Sequence, residues 1–172
     1  MTLGAVESGP GTVLFVGDGD TIGVRLSGDP AVEVTVRLKW LDAPERHDNP
    51  HGAAMPEGES AAEFVKTLLP KNTAVTLWSP GEDWERDETG RLIALVRYRS
   101  PDAPEDPARW PSAQEAILRA GWSVYWRRYG EAPDVLRKAF HAAETEARKA
   151  KAGAWASAEA WMLVKRNERW RE

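Results

Sequence analysis

An alternating stretch that ends in a proline turn is the strongest structural signal in this chain. Across residues 32–40 every second residue is apolar, and charged or hydroxyl residues alternate with them. This two-residue period predicts a β-strand with one buried face. The Ala-Pro pair at 43–44 predicts the end of the strand, because proline has no amide hydrogen and restricts the residue before it. We therefore expect Arg37 on the exposed face and Asp42 and Glu45 on the turn that follows.

Further strands and helices are predicted in an order typical of a small barrel. The predicted strands are 12–16, 21–26, 32–40, 74–78 and 92–98, and a helix is predicted at 59–69 between the third and fourth. Helices are also predicted at 112–121, 133–151 and 155–172. The order of three strands, one helix and two strands predicts a five-stranded OB-type barrel. The expected fold class is thus α+β, mainly β, with two or more C-terminal helices.

Two aspartates are expected at one end of this sheet. The hairpin turn at 27–30 pairs the second strand with the third and places Asp20 opposite position 38 or 39, near Asp42. Calcium and magnesium prefer oxygen ligands, and the chain has no cysteine for a thiolate site. The pair therefore suits a hard cation. The alternative is a local role in shaping turns, where aspartate is common.

Two arginines and a glutamate could act on a phosphodiester beside such a cation. Arg37 and Arg91 carry guanidinium groups, which donate paired hydrogen bonds to phosphate and stay charged at any working pH. Glu45 lies three residues beyond Asp42 and can accept a proton from water. Taken singly, each of the three is better explained as an ordinary surface residue.

Charge and composition limit the function classes. The net charge of -4 argues against a broad nucleic-acid-binding surface, whereas residues 119–151 are net basic and could face phosphate. No apolar stretch approaches the roughly 20 residues of a membrane span, so no membrane partner is expected. The first residues lack the basic start and apolar run of a signal peptide, which predicts a cytoplasmic protein; delivery as part of a larger particle is the alternative.

Six ordered motifs resemble those of one enzyme family. They are DGDT at 18–21, RLKWLDAPE at 37–45, GESAAEF at 58–64, D-x-x-GR at 87–91, ILRAGW at 117–122 and AETEARKAKAGAW at 143–155. Together they resemble the staphylococcal nuclease (thermonuclease) family over about residues 12–155. The resemblance implies an OB-type barrel and calcium-dependent cleavage of DNA, RNA or both. It also implies 3'-phosphate ends and little sequence preference.

The resemblance also implies roles for individual residues. The implied calcium ligands are Asp20, Asp42 and the backbone carbonyl of Ala43, which stands where the family usually has threonine. Glu45 would be the general base, and Arg37 and Arg91 would bind the phosphate and stabilise its charge. Tyr129, with Tyr125 near it, would supply an aromatic wall for a base.

The end of the chain departs from this pattern. We expect a nuclease domain at 1–155 and a helical extension at 156–172, which packs on the domain or on a partner protein. Trp161 and Trp170 in the extension could present a face to such a partner. The alternative function is a catalytically silent OB module that binds nucleic acid or protein, within a larger assembly.

Overall fold

The structure is a computed structural model that describes residues 5–28, 30–48 and 52–168, with side chains to residue 167. Its strands are β1 (Ala5–Glu7), β2 (Gly11–Asp18), β3 (Thr21–Leu26), β4 (Val32–Leu38), β5 (Leu41–Asp42), β6 (Ala74–Pro80), β7 (Leu92–Tyr98) and β8 (Val124–Tyr125). Its helices are α1 (Pro56–Leu68), α2 (Ala113–Arg119), α3 (Asp134–Lys149), α4 (Ala154–Ser157) and α5 (Glu159–Glu168), with a 3₁₀ turn at Pro107–Arg109.

Five strands close into a barrel. Strand β6 pairs with β2, β2 with β3, β3 with β4, β4 with β7, and β7 returns to β6. Only the β4–β7 pairing in this closed ring is parallel, and β1 adds to the outer edge of β6. Helix α1 lies between the third and fourth barrel strands of the chain. The predicted OB-type barrel and its mainly β, α+β class are therefore confirmed.

The barrel interior is filled by the alternating apolar residues. Fully buried side chains from four of the strands include Val13, Ile22, Val24, Val36, Leu38, Val75 and Leu77. Helix α2 covers one end of the barrel, and Gln114 in it is completely buried. Its amide accepts from Val96 N at 3.1 Å and donates to Ala94 O at 2.9 Å, so it satisfies backbone groups of β7.

The third barrel strand is shorter than predicted. It ends at Leu38, because Trp40 adopts a left-handed backbone conformation with φ of 68°. The Trp40 ring is buried, and its indole donates to Gly130 O at 2.9 Å. These distant contacts hold a conformation that is unfavourable for a bulky residue. The chain turns there, and the next two residues form β5, which pairs with β8.

Three of the predicted helices appear with shifted ends, whereas the helix predicted at 155–172 is divided into α4 and α5 at Ala158 and its predicted end lies outside the described residues. Helix α1 begins at Pro56, three residues before the predicted start, since proline suits the first helical position. The Ser112 hydroxyl caps α2 by accepting from Glu115 N at 3.3 Å, as the capping-box pattern predicts. Helices α3, α4 and α5 follow. Within the described residues, no helix combines the length and apolar character that crossing a membrane requires.

The C-terminal segment packs against the rest of the chain as far as the structure describes it. Met162 and Trp155 are buried in a second apolar cluster with Val124, Ala147 and Ala154. Val164 on α5 is 56% exposed. Trp170 lies outside the described residues. The division at residue 155 and a partner for the extension stay predictions.

Candidate active site

A cavity of about 210 Å³ lies at one rim of the barrel. Six of the residues singled out from the sequence line it: Asp20, Arg37, Asp42, Glu45, Arg91 and Tyr129. Ala43 is buried behind them and does not line the cavity. Residues from the β2–β3 turn, β4, β5 and three loops therefore meet at one place, although up to 109 positions separate them in the sequence.

Arg37 forms the floor of the cavity. Its guanidinium makes an ion pair with Asp20, lies 3.8 Å from Asp42 Oδ1, and donates to Leu41 O at 3.2 Å. The residue is only 7% exposed, so the expectation of a solvent-facing arginine is wrong. The side chain does leave the barrel interior, but β5 and the neighbouring loops cover it. Burial lowers the pKa of Arg37, and the charge of Asp42 opposes that effect.

The β2–β3 turn fixes Asp20. Leu38 N donates to Asp20 O at 2.8 Å, which confirms the predicted register. Ala43 N donates to Asp20 Oδ2 at 3.0 Å, and the Thr21 hydroxyl donates to Oδ1 at 3.3 Å. Asp18 Oδ1 accepts from the Asp20 amide at 3.1 Å and thereby orders the turn. The Asp20 carboxylate is thus held at the cavity by hydrogen bonds from Thr21 at the start of β3 and from Ala43 just after β5.

Asp42 reaches the same floor from β5. Its backbone amide donates to Ser123 Oγ at 3.0 Å, next to the β5–β8 pairing. Its Oδ2 atom lies 3.4 Å from Lys165 Nζ, and its Oδ1 atom faces Arg37. The turn at Trp40 brings Asp42 back towards Arg37, which a continuous strand would not do. Asp20 and Asp42 therefore converge on one guanidinium.

This donor set fits a hard divalent cation. Asp20 and Asp42 are both buried at the cavity and present carboxylate oxygens, the ligand type that calcium prefers. Both carboxylates face the guanidinium of Arg37, Asp20 at Nη1 and Asp42 at Nη2. Among the described residues, no group of three or more His, Asp or Glu is close enough to form a complete metal site. Backbone carbonyl and water oxygens would have to complete the coordination.

Arg91 is positioned by a tight loop before β7. Its Nε donates to Asp87 Oδ2 at 2.6 Å, and its Nη1 donates to Thr21 Oγ1 at 3.3 Å. Asp87 is inaccessible to solvent and also accepts from Thr89 N at 2.9 Å. Desolvation of Asp87 acts to raise its pKa, but the hydrogen bonds from Thr89 and Arg91 outweigh it and lower the pKa. The 31% exposed Arg91 side chain keeps donors directed at the cavity.

Glu45 is held through its backbone by the start of α1. Met55 N donates to Glu45 O at 2.9 Å, and the helix passes directly beneath this carbonyl at Gly58. A Cβ atom on Gly58 would lie 2.1 Å from Glu45 O. Only glycine permits this approach. The side chain of Glu45 is half-buried and lines the cavity, instead of pointing fully into solvent as expected.

An aromatic and cationic wall closes the cavity on one side. The rings of Trp126 and Tyr129 meet edge to face with centroids 6.4 Å apart, and the Arg128 guanidinium lies over both. Burial raises the pKa of Tyr129, and the nearby charges of Arg128 and Arg37 oppose that rise. Both rings line the cavity, and aromatic rings are the side chains on which bases stack.

Tyr125 does not belong to this wall. It is 1% exposed, its hydroxyl donates to Glu131 at 2.7 Å, and it accepts from Ala132 N at 3.1 Å. Burial raises the pKa of Tyr125 to about 12. The expectation that Tyr125 assists Tyr129 is wrong, because the two-residue strand β8 turns Tyr125 towards Phe140 in the core.

Five further residues line the cavity that sequence reasoning did not assign to the site. They are Asp18, Glu88, Trp126, Arg128 and Lys165. Asp18 belongs to the DGDT motif, and Trp126 and Arg128 to the WRRY run, so a signal for these three was present. Lys165 has no such signal, because it arrives on α5 from beyond the recognised motifs.

Comparison with known proteins agrees with this geometry. The model of the family described as staphylococcal nuclease homologue matches residues 35–157. Endonuclease Htp3 of Saprolegnia parasitica is 28% identical over 166 residues, which cover 84% of this chain and 69% of that protein.

Two other relatives are matched over a smaller share of their own length. A probable endonuclease LCL3 of Schizophyllum commune is 29% identical over 127 residues, which cover 72% of this chain and 40% of that protein. An uncharacterized protein of Bacillus anthracis is 28% identical over 155 residues, covering 89% of this chain and 64% of that protein. The chain thus spans only part of each relative.

Proposed function

This chain belongs to the staphylococcal nuclease family, and on that premise we propose that it is a calcium-dependent nuclease. It hydrolyses phosphodiester bonds of DNA, RNA or both, with little sequence preference, and leaves 3'-phosphate ends. The observation that carries the proposal is the meeting of Asp20, Arg37, Asp42, Glu45 and Arg91 around one cavity. Folding alone does not require such a set, because burying charged groups is costly unless they are paired.

Each residue has a role that follows from the negative charge that develops on the phosphate in the transition state. Arg91, with its exposed guanidinium edge, binds the scissile phosphate and stabilises the extra negative charge of the transition state. Arg37 contributes a second positive charge from the floor of the cavity. Its guanidinium faces Asp20 and Asp42 there and covers them from solvent. Glu45 accepts the proton of the attacking water.

Asp20, Asp42 and the Ala43 carbonyl would hold the calcium ion. When bound, the ion supplies positive charge that polarises the phosphate. The wall of Trp126, Arg128 and Tyr129 stacks a neighbouring base, which favours single-stranded or locally opened nucleic acid.

Digestion of a labelled single-stranded oligonucleotide tests the proposal. We expect cleavage at millimolar calcium, its loss with a chelator, and products whose 3' ends become substrates for a polymerase only after phosphatase treatment. Glu45→Gln, purified in the same way, controls for a contaminating nuclease and should lose about a hundredfold or more in turnover. Absence of cleavage by folded wild-type protein would refute the proposal.

The alternative of a catalytically silent OB module is separated by the same experiment. Such a module would bind the oligonucleotide with equal strength in wild-type protein and Glu45→Gln and would cut it in neither. A protein partner for residues 156–172 stays a prediction from the sequence alone. Light scattering would test it by comparing the molecular mass in solution of the chain with and without these residues.

A further inference from the structure

The C-terminal helix α5 reaches the candidate active site. It lies beyond residues 35–157, where the family description applies, and it places Lys165 on the wall of the cavity. The Lys165 ammonium is 3.4 Å from Asp42 Oδ2. The contact joins one of the proposed calcium ligands to a helix with no counterpart among the recognised motifs.

Helix α5 is anchored well enough to hold Lys165 there. Met162 is completely buried in the second apolar cluster. Arg166 Nε donates to Glu144 Oε1 at 2.9 Å, and Glu144 is itself only 3% exposed and accepts from Tyr125 N at 2.8 Å. The Lys165 ammonium also lies over the Trp161 ring, 5.5 Å from its centroid. Burial of Met162 and the contact of Arg166 with Glu144 therefore anchor the helix that carries Lys165 to the site.

We propose that Lys165 is a positioning residue that holds Asp42 and competes with a divalent cation for the Asp42 carboxylate. Helix α5 thereby sets the calcium affinity of the site. This inference rests on the proposed function, because it concerns the same ligand set. A calcium ion lies about 2.3–2.6 Å from a ligand oxygen. An ion bound to Asp42 Oδ2 would then lie at most roughly 6 Å from the ammonium, given the 3.4 Å contact.

Electrostatics gives the size of this competition. A divalent and a monovalent charge about 6 Å apart repel by an amount that is worth roughly tenfold in affinity even at the dielectric constant of water. Salt and movement of the flexible lysine stem reduce the effect. The Lys165 side chain is 22% exposed, so it keeps room to move away when an ion binds. Removal of the charge should therefore tighten calcium binding about threefold to tenfold.

Calorimetric titration of calcium into the full chain tests this directly, without reliance on nuclease activity. Lys165→Gln should lower the calcium dissociation constant about threefold to tenfold, whereas Lys165→Arg, which keeps the charge, should stay within about twofold of wild type. Lys138→Gln is the matched control, because Lys138 is exposed on α3 away from the cavity and the substitution makes the same change in net charge. Circular dichroism checks that all four proteins are folded.

The outcomes separate this inference from the proposed function. Equal calcium affinity in wild type, Lys165→Gln and Lys138→Gln, or no binding by any of them, would overturn the role of Lys165. Calcium binding by Lys165→Gln alone would support it. If the expected difference in affinity appears but no protein cleaves nucleic acid, the nuclease proposal fails and the role of Lys165 stands.

Discussion

At the scale of single residues, the site combines charges of very different accessibility. Arg37 is covered by Asp20, Asp42 and the Leu41 carbonyl. It therefore has a structural role in the site in addition to its proposed role in binding the substrate. Arg91 is more exposed and is oriented by the inaccessible Asp87. Substitution at Arg37 would leave buried carboxylates unpaired, which destabilises a protein strongly. Arg91 is therefore the cleaner residue with which to test phosphate binding.

Arg91→Ala should lower turnover on an oligonucleotide by about a hundredfold or more, because it removes a charge aimed at the transition state. The free energy of unfolding should fall by less than it would for a substitution of Arg37, because Asp87 loses its ion pair with Arg91 but keeps its hydrogen bonds from Thr89. Steady-state kinetics and denaturant unfolding measure the two quantities. Arg25→Ala is the control, because Arg25 pairs with Glu33 on the exposed outer face of β3. An equal loss in both variants would contradict the assignment.

At the scale of elements, the start of α1 supports the loop that carries Glu45. Glu45 O accepts from Met55 N, and Gly58 N in turn donates to Met55 O at 2.9 Å. The helix and the Glu45 backbone touch where a side chain would not fit. Glycine is otherwise the least favourable residue in a helix apart from proline. Its presence here has a steric reason.

Gly58→Ala should destabilise the protein by about 1–3 kcal/mol through overpacking, although helix propensity alone predicts stabilisation of about 1 kcal/mol. Turnover should also fall, because displacement of the Glu45 backbone moves the proposed base. Gly9→Ala is the matched control, since a Cβ atom there has no neighbour within 4 Å. Thermal unfolding and kinetics would measure both effects, and a stabilised, fully active Gly58→Ala would show that α1 does not hold the loop.

At the scale of the whole molecule, the proposed function requires a chain with a net charge of -4 to bind a polyanion at one small region. That region is the cavity. It is lined by Arg37, Arg91, Arg128 and Lys165, together with five carboxylates. Few phosphates can therefore be neutralised at once within the cavity.

The salt dependence of binding should consequently be shallow. With at most four cationic side chains in the cavity, the slope of log affinity against log salt for single strands should not exceed about 3 in magnitude. Fluorescence anisotropy of a labelled oligonucleotide with Glu45→Gln in calcium measures it without cleavage. A slope beyond about 5 would indicate a broad phosphate-binding surface outside the cavity.

Local pattern was enough to predict the barrel. The alternation at 32–40, the turns before it and the helix between the third and fourth strands each depend on neighbours in the sequence, and all of them appear in the structure. The motifs likewise identified residue types suited to phosphate and metal, and Asp20, Arg37, Asp42, Glu45 and Arg91 do meet. Their roles stay predictions until the experiments above are done.

The sequence by itself determined the order of the barrel strands and of α1, the family and the chemical character of the site. Only the tertiary structure decided that Trp40 turns the chain, that Arg37 is buried, that Tyr125 leaves the wall and that Lys165 reaches Asp42. Each of these depends on contacts between distant residues, such as the indole of Trp40 with Gly130. Local periodicity carries no information about such contacts, because they exist only once the barrel and its helices have packed together.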